Sequence, residues 1–74
     1  MRVKLLDPSP EMIRKAREAA GLRQQEAAEL VHLSAFQRWS EYERGVQPID
    51  TARWSLFLLL TGQHPKYFPL REKP

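Results

Sequence analysis

The polar side chains of residues 35–44 are the group in this sequence best suited to specific recognition. Three of them recur at helical spacing and share one face: Gln37, Glu41 and Arg44. The opposite face is formed by small and aromatic residues: Ala35, Trp39 and Tyr42. Amide, carboxylate and guanidinium groups presented together can match the donors and acceptors of base edges in the DNA major groove. The pattern indicates either a DNA-reading helix or a helical hairpin with a solvated outer face.

Two further helices are predicted before this one, from glycine, proline and capping residues. The first covers about residues 10–20, with Ser9 as its N-cap and Gly21 at its C-terminal end. The second covers residues 24–31, and it is too short to persist without tertiary packing. These helices must position the polar face described above.

The helix over residues 35–44 is predicted to begin after the N-cap Ser34 and to end at Gly45. Asp50 is the expected N-cap of a fourth helix over residues 51–61. The second and third helices are short and joined by a tight turn, and the later one is polar outside and apolar inside. This combination suggests a helix-turn-helix arrangement.

The fourth predicted helix is apolar around nearly its whole circumference. One face carries Trp54, Phe57 and Leu58, and the other carries a second apolar set: Ala52, Leu56, Leu59 and Leu60. A helix with two apolar faces must be covered on both sides, and so small a chain offers a single other layer. The second face is therefore predicted to form a homodimer interface. The alternative is a helix buried at the centre of a monomer.

The composition describes one small all-α domain over residues 1–74, with a helical core at 9–62 and arms at 1–8 and 63–74. The chain is 42% hydrophobic and 28% charged and has no cysteine, which excludes disulfides and thiolate zinc sites. No apolar run approaches the roughly 18 residues of a membrane span, and no signal segment is recognisable. We therefore expect a soluble cytoplasmic protein with no membrane contact and no metal or other cofactor.

Charge and catalytic motifs narrow the function further. The net charge is +3, with a positive excess in residues 1–23 and 51–74 and a negative excess in residues 24–50. Basic flanks could suit a polyanionic partner, although ordinary solubility explains them almost as well. The sequence has no credible Ser/His/acid or Cys/His spacing and no glycine-rich phosphate loop, so an enzyme is not expected.

The motifs GLRQQEAA (residues 21–28) and YERG (residues 42–45), with Ser34 between them, resemble the Cro and phage-repressor (Xre-like) helix-turn-helix family. The resemblance extends over about residues 11–61. Two further motifs, WSEYERG and ARWSLF, are similar to small repressors of phages and mobile elements, among them the anti-CRISPR-associated autorepressors. The resemblance implies a domain that binds double-stranded DNA.

The resemblance implies that residues 34–38 enter the major groove, with Glu41 one turn further along. The predicted base-reading residues are accordingly Gln37, Arg38, Glu41, Phe36 and Ala35. Gln37 can bond adenine, Arg38 can bond guanine, and Glu41 can accept from cytosine. The simpler alternatives are an ion pair for Arg38 and a solvated charge for Glu41. Phe36 could contact a thymine methyl group or pack on the preceding helix, and we favour packing.

The resemblance also implies that Gln24 contacts a DNA phosphate at the N-terminal end of its helix. Hydroxyl and guanidinium groups complete the predicted phosphate contacts: Ser34, Ser40, Arg44, Arg23 and Arg53. Glu43 is expected to turn inward and brace the fold. It is therefore not counted among the DNA contacts.

The sequence departs from the family pattern at three places. Arg23 stands where a Ser or Thr cap is usual, and His32 stands at a turn position where glycine is common because the backbone is left-handed. His32 is expected to be structural or simply exposed. One additional residue lies between Ser34 and Glu43, which leaves the register of the base-reading positions open by one.

These observations together predict a homodimeric transcriptional repressor that binds a pseudo-palindromic, inverted-repeat operator in a promoter, with its own promoter as one candidate. Its expected location is the cytoplasm of a bacterial or phage-infected cell, associated with the nucleoid. The alternative is an antitoxin or protein-interaction adaptor whose C-terminal tail binds a partner protein. Tyr67, Phe68 and Leu70 in that tail favour the alternative.

Overall fold

Residues 7–65 are described by a computed structural model, and they form four helices. The helices are α1 (Pro10–Ala19), α2 (Gln24–Leu30), α3 (Phe36–Arg44) and α4 (Thr51–Leu60). No strand occurs within this described range. The predicted all-α, four-helix architecture is confirmed, and every helix end lies within one residue of its prediction. The predictions for the tail residues Tyr67, Phe68 and Leu70 fall outside the described residues.

Two of the predicted N-caps form as expected. The Ser9 hydroxyl accepts the backbone N–H of Met12 at 3.1 Å, and the Asp50 carboxylate accepts the backbone N–H of Arg53 at 3.1 Å. Each bond satisfies one of the N–H groups that a helix leaves without an internal partner at its start. At the C-terminal end of α3, Gly45 adopts the left-handed conformation (φ +77°) that favours glycine.

The turn after α2 closes through a left-handed residue, as its sequence position suggested. His32 has φ +65°, its N–H donates to the Glu29 carbonyl at 3.1 Å, and the N–H of Leu33 donates to the Ala28 carbonyl at 2.9 Å. This pair of bonds is the Schellman closure, which usually has glycine at the left-handed position. Histidine adopts that conformation more readily than β-branched residues do.

The start of α3 differs from the prediction. Ala35 is the N-cap residue and provides no side-chain cap, so the expected cap by Ser34 is wrong. The closure of α2 extends through Leu33, which leaves Ser34 one position too early to cap α3. The first turn of α3 therefore has no side-chain acceptor from its N-cap.

The core lies where the four helices meet around Trp39. Its ring is fully buried, with its centroid 5.0 Å from that of Phe57 and 5.9 Å from that of Tyr42. Ala27 and Ala28 are almost fully buried, and their small side chains allow α3 to pack closely on α2. The other buried hydrophobic residues are Ile13, Ala16, Val31, Ile49, Trp54 and Leu58. The inner face predicted for α3 is thus anchored in the core.

The left-handed backbone of His32 gives a prediction about stability. We expect His32→Gly to be more stable than His32→Ala by about 1 kcal/mol, because alanine is strained at positive φ and glycine is not. Urea denaturation of both variants measures the difference. The two variants share the loss of the imidazole, so equal stabilities would contradict the strain that we assign to this position.

Candidate functional site

The outer face of α3 is polar and open to solvent. Gln37, Arg38 and Arg44 are exposed and Glu41 is half-buried, whereas Trp39 on the inner side is fully buried. The polar groups therefore project from a helix whose back is fixed by packing. Such a surface offers amide, guanidinium and carboxylate groups at spacings set by the helix rather than by a flexible loop.

Contacts within this face leave its arginine side chains accessible. The Arg38 Nε lies 3.8 Å from the Glu41 Oε1, which is longer than a hydrogen bond, and the Arg38 side chain is 51% exposed. The Arg44 Nε donates to the Ser40 hydroxyl at 3.2 Å. Exposed pairs of this kind contribute little to stability, so these guanidinium groups can exchange them for another partner.

Residues at the start of α3 lie beside α2. Ser34 and Ala35 are exposed, and Phe36 is 45% exposed. The Phe36 ring borders a shallow recess that is also lined by Ala28 and Glu29 of α2. Phe36 thus borders a recess that α3 shares with α2, and a large part of its own surface remains exposed.

A buried carboxylate connects α1, α2 and α3 behind this face. The Glu43 Oε2 accepts from Arg17 Nε at 2.6 Å and from Trp39 Nε1 at 2.6 Å. Its Oε1 accepts from Arg17 Nη2 at 3.1 Å and from Gln24 Nε2 at 3.0 Å. Arg17 also donates to the carbonyl of Leu22 at 2.9 Å. Glu43 therefore turns inward, as the sequence resemblance implied.

The electrostatic state of this cluster follows from its hydrogen bonds. Burial by itself raises the pKa of Glu43, whereas the hydrogen bonds from Arg17, Gln24 and Trp39 lower it. The hydrogen bonds together have the larger effect, so the pKa lies below the ordinary 4.5. The bond to Glu43 raises the pKa of Arg17. Both groups are accordingly charged at neutral pH and hold each other in place.

The predicted phosphate contacts occupy three different settings. The Gln24 amide uses one N–H on Glu43, which fixes its orientation at the start of α2. Arg23 has an 85% exposed side chain 3.5 Å from Glu26, whose carboxylate also accepts the backbone N–H of Arg23 at 2.8 Å. These bonds lower the pKa of Glu26. Arg53 is held at the start of α4, where its Nε donates to the Val31 carbonyl at 3.3 Å.

The second apolar face of α4 is partly uncovered. Ala52 is exposed and Leu60 is 47% exposed, while Leu56 and Leu59 are half-buried. Leu56 packs in part against the core of its own chain. Leu60 also borders a groove formed with residues of α1, α2 and their connection: Ala19, Ala20, Leu22, Glu26 and Leu30.

The sequence interpretation did not identify several residues that complete these sites. Arg17 lies on the inner side of α1 with Ile13 and Ala16, and a cation at a core-facing helix position is a signal for a buried acidic partner. Leu22 and Leu30, which extend the apolar face of α4, gave no comparable signal. Their place in that surface depends on the angle between α2 and α4.

Two other kinds of feature are absent from residues 7–65. No group of three or more metal-ligating side chains lies together in that range. None of the four helices has the length and apolar character needed to cross a membrane. Neither a protein-family model nor a curated protein matches the sequence at a significant level.

The lowered pKa of Glu43 gives a pH-dependent prediction. Its interactions should stabilise the fold above pH 4.5 and be lost as the pH falls below that value, because a proton then binds more tightly to the unfolded chain. We expect Glu43→Gln to cost about 3 kcal/mol at neutral pH, the lower end for a buried pair, since it leaves the partly buried Arg17 without its counter-ion.

Urea denaturation of both proteins over a range of pH tests this expectation, with Glu18→Gln as the control. Glu18 is exposed and paired with Arg14 at 3.7 Å, so its loss should change stability by less than about 0.5 kcal/mol. The gap between wild type and Glu43→Gln should narrow as the pH falls below 4.5. A gap that stays constant would show that the carboxylate charge does not contribute.

Proposed function

We propose that this protein is a sequence-specific DNA-binding transcriptional regulator in which α2 and α3 act as a helix-turn-helix unit. The observation that carries the proposal is the outer face of α3, where Gln37 and Arg44 are exposed on a helix anchored by Trp39. An α-helix of this kind fits the width of the DNA major groove. In the proposed complex α3 lies in that groove and its outer side chains contact base edges.

The packing behind α3 supports this role. Ala27 and Ala28 allow α2 and α3 to approach closely, and the closure at His32 holds the connection between them short. The Glu43 cluster then ties both helices to α1. Readout of bases requires a rigid presentation of side chains, and these contacts supply it.

The resemblance to the Cro and phage-repressor family supports the same proposal. It rests on the motifs at residues 21–28 and 42–45, and the structure places the first at α2 and the second at the end of α3. On this basis we propose a repressor of the small phage or mobile-element type, acting in the cytoplasm on an operator in a promoter. Repression would follow from occupying the promoter.

We propose that the protein binds DNA as a homodimer through α4. The outward charges of α3 nearly balance, with Arg38 and Arg44 against Glu41, since Glu43 is paired with Arg17 inside the fold. A single domain therefore offers few net phosphate contacts. A two-fold dimer doubles those contacts and reads two half-sites about 34 Å apart. The incompletely covered face of α4, with Leu60 at its end, is the surface that we assign to the partner.

Selection of bound sequences from random duplex DNA tests the function. We expect a two-fold consensus, and we expect Gln37→Ala to lose about 1–3 kcal/mol on the selected site and to relax the preference at one base pair of each half-site. The matched control is Gln25→Ala, an exposed glutamine of α2 whose amide bonds Glu29 at 3.3 Å. Failure to enrich any sequence at low ionic strength would refute the proposal.

Sedimentation tests the dimer. Leu60→Glu places a carboxylate on the uncovered face of α4, and we expect it to sediment as a monomer and to bind the selected site weakly, because an unpaired charge resists burial. The control is Met12→Glu on α1, since Met12 is 49% exposed and Leu60 is 47% exposed. A dimer that persists in Leu60→Glu with native helicity would place the interface elsewhere.

A further inference from the structure

A recess beside the outer face of α3 collects cationic and hydroxyl groups from four segments of the chain. The turn after α2, the helix α3, the connection before α4 and the start of α4 all contribute to its walls. The polar and charged side chains that line it are His32, Ser34, Arg38, Tyr42, Gln47, Asp50 and Arg53. These residues come from four segments between His32 and Arg53, so the recess exists only in the folded chain.

Arg53 is held at the wall of the recess by two contacts. Its Nε donates to the carbonyl of Val31 at 3.3 Å, and its Nη1 lies 3.4 Å from the Asp50 Oδ1. A guanidinium has five N–H groups, so the remaining ones have no acceptor among the described residues. The side chain is 38% exposed. Arg53 thus presents donors in a fixed orientation while staying accessible to a ligand.

The single carboxylate in the recess is already engaged. Asp50 accepts the backbone N–H of Arg53 at 3.1 Å as the N-cap of α4, and it also pairs with the Arg53 guanidinium. Arg38 faces the same recess, with its side chain 51% exposed. The lining of the recess therefore carries two guanidinium groups and one carboxylate, and Glu41, 3.8 Å from Arg38, lies outside that lining. This excess of cations in the lining favours an anion.

Tyr42 adds a neutral donor. The residue is 4% exposed, and yet it contributes to the wall of the recess. Burial raises the pKa of Tyr42, so its hydroxyl is protonated at neutral pH and can donate a hydrogen bond. Ser34, which is exposed and also lines the recess, provides a second neutral hydroxyl donor.

We propose that this recess binds a phosphate group, with Arg38 and Arg53 as its cations and the hydroxyls of Tyr42 and Ser34 as further donors. Guanidinium groups match phosphate oxygens with paired hydrogen bonds. If the proposed function holds, the ligand is a phosphodiester of the DNA backbone that flanks α3. A free phosphate is the other source of the same chemistry. In both cases Arg38 binds phosphate and does not read a base.

The first test uses the full chain without DNA. Two-dimensional NMR spectra are recorded during titration with inorganic phosphate and with dimethyl phosphate at constant ionic strength, with chloride as the balancing anion. We expect saturable shifts confined to the recess, including the Arg53 Nε–H and the His32 ring. Shifts that are spread over the surface, or that chloride reproduces, would overturn the phosphate site.

Substitutions locate the binding groups. We expect Arg38→Gln and Tyr42→Phe each to weaken phosphate binding several-fold, and Arg53→Gln to abolish it. Because Arg53 also bonds the Val31 carbonyl, its loss could disturb the fold, and the two milder variants keep the proposal testable. Arg14→Gln is the matched control, since Arg14 is a half-exposed arginine of α1 whose ion pairs lie outside the recess. Equal binding by Arg38→Gln and wild type would overturn the site.

Duplex DNA distinguishes the two sources of phosphate. If the recess holds the DNA backbone, Arg38→Gln should weaken binding to all duplexes alike and reduce the slope of log affinity against log salt by about 1, with base preferences unchanged. Relaxed preference at one base pair would instead make Arg38 a base reader and overturn its assignment here. Saturable binding of free phosphate together with an unchanged salt slope would identify the ligand as free phosphate.

These outcomes are separable from those for the proposed function. Binding of phosphate in the recess without any duplex preference would support the recess and refute the regulator. A duplex consensus without phosphate binding in the recess would support the regulator and refute the phosphate site.

Discussion

The Glu43 carboxylate is the interaction on which the arrangement of α1, α2 and α3 depends. Its two oxygens accept four hydrogen bonds, from Arg17 of α1, from Gln24 of α2 and from Trp39 of its own helix. A buried carboxylate is costly unless it is paired and fully bonded. Its hydrogen bonds therefore link α1, α2 and α3 to one another at a single point.

The same cluster connects the core to the surface. Trp39 is packed between Tyr42 and Phe57 while its N–H bonds Glu43, so both the depth and the rotation of α3 are fixed. Fixing the rotation of α3 determines which of its side chains face outward. The polar face that we assign to DNA and the orientation of the Gln24 amide are thus consequences of one buried network.

The surface around α3 is organised in three parts. Its outer face carries Gln37 and Arg44, its α2 side carries Gln24 in a fixed orientation, and its α4 side carries the recess with Arg53. This arrangement is compatible with a helix in a groove that has a phosphate backbone on each side. The three parts perform different tasks in the proposed complex: base readout in the middle and positioning at the two flanks.

The sequence by itself determined the four helices and the inward side of α3, because caps and apolar periodicity act between residues a few positions apart. The N-caps Ser9 and Asp50 and the left-handed turn at His32 belong to this class. Tertiary structure alone decided the partners of Glu43, which come from up to 26 residues away, and the convergence of Arg38 and Arg53 in one recess. It also moved the start of α3 past Ser34. Such relations depend on how helices cross and how turns close, and local patterns do not encode those angles.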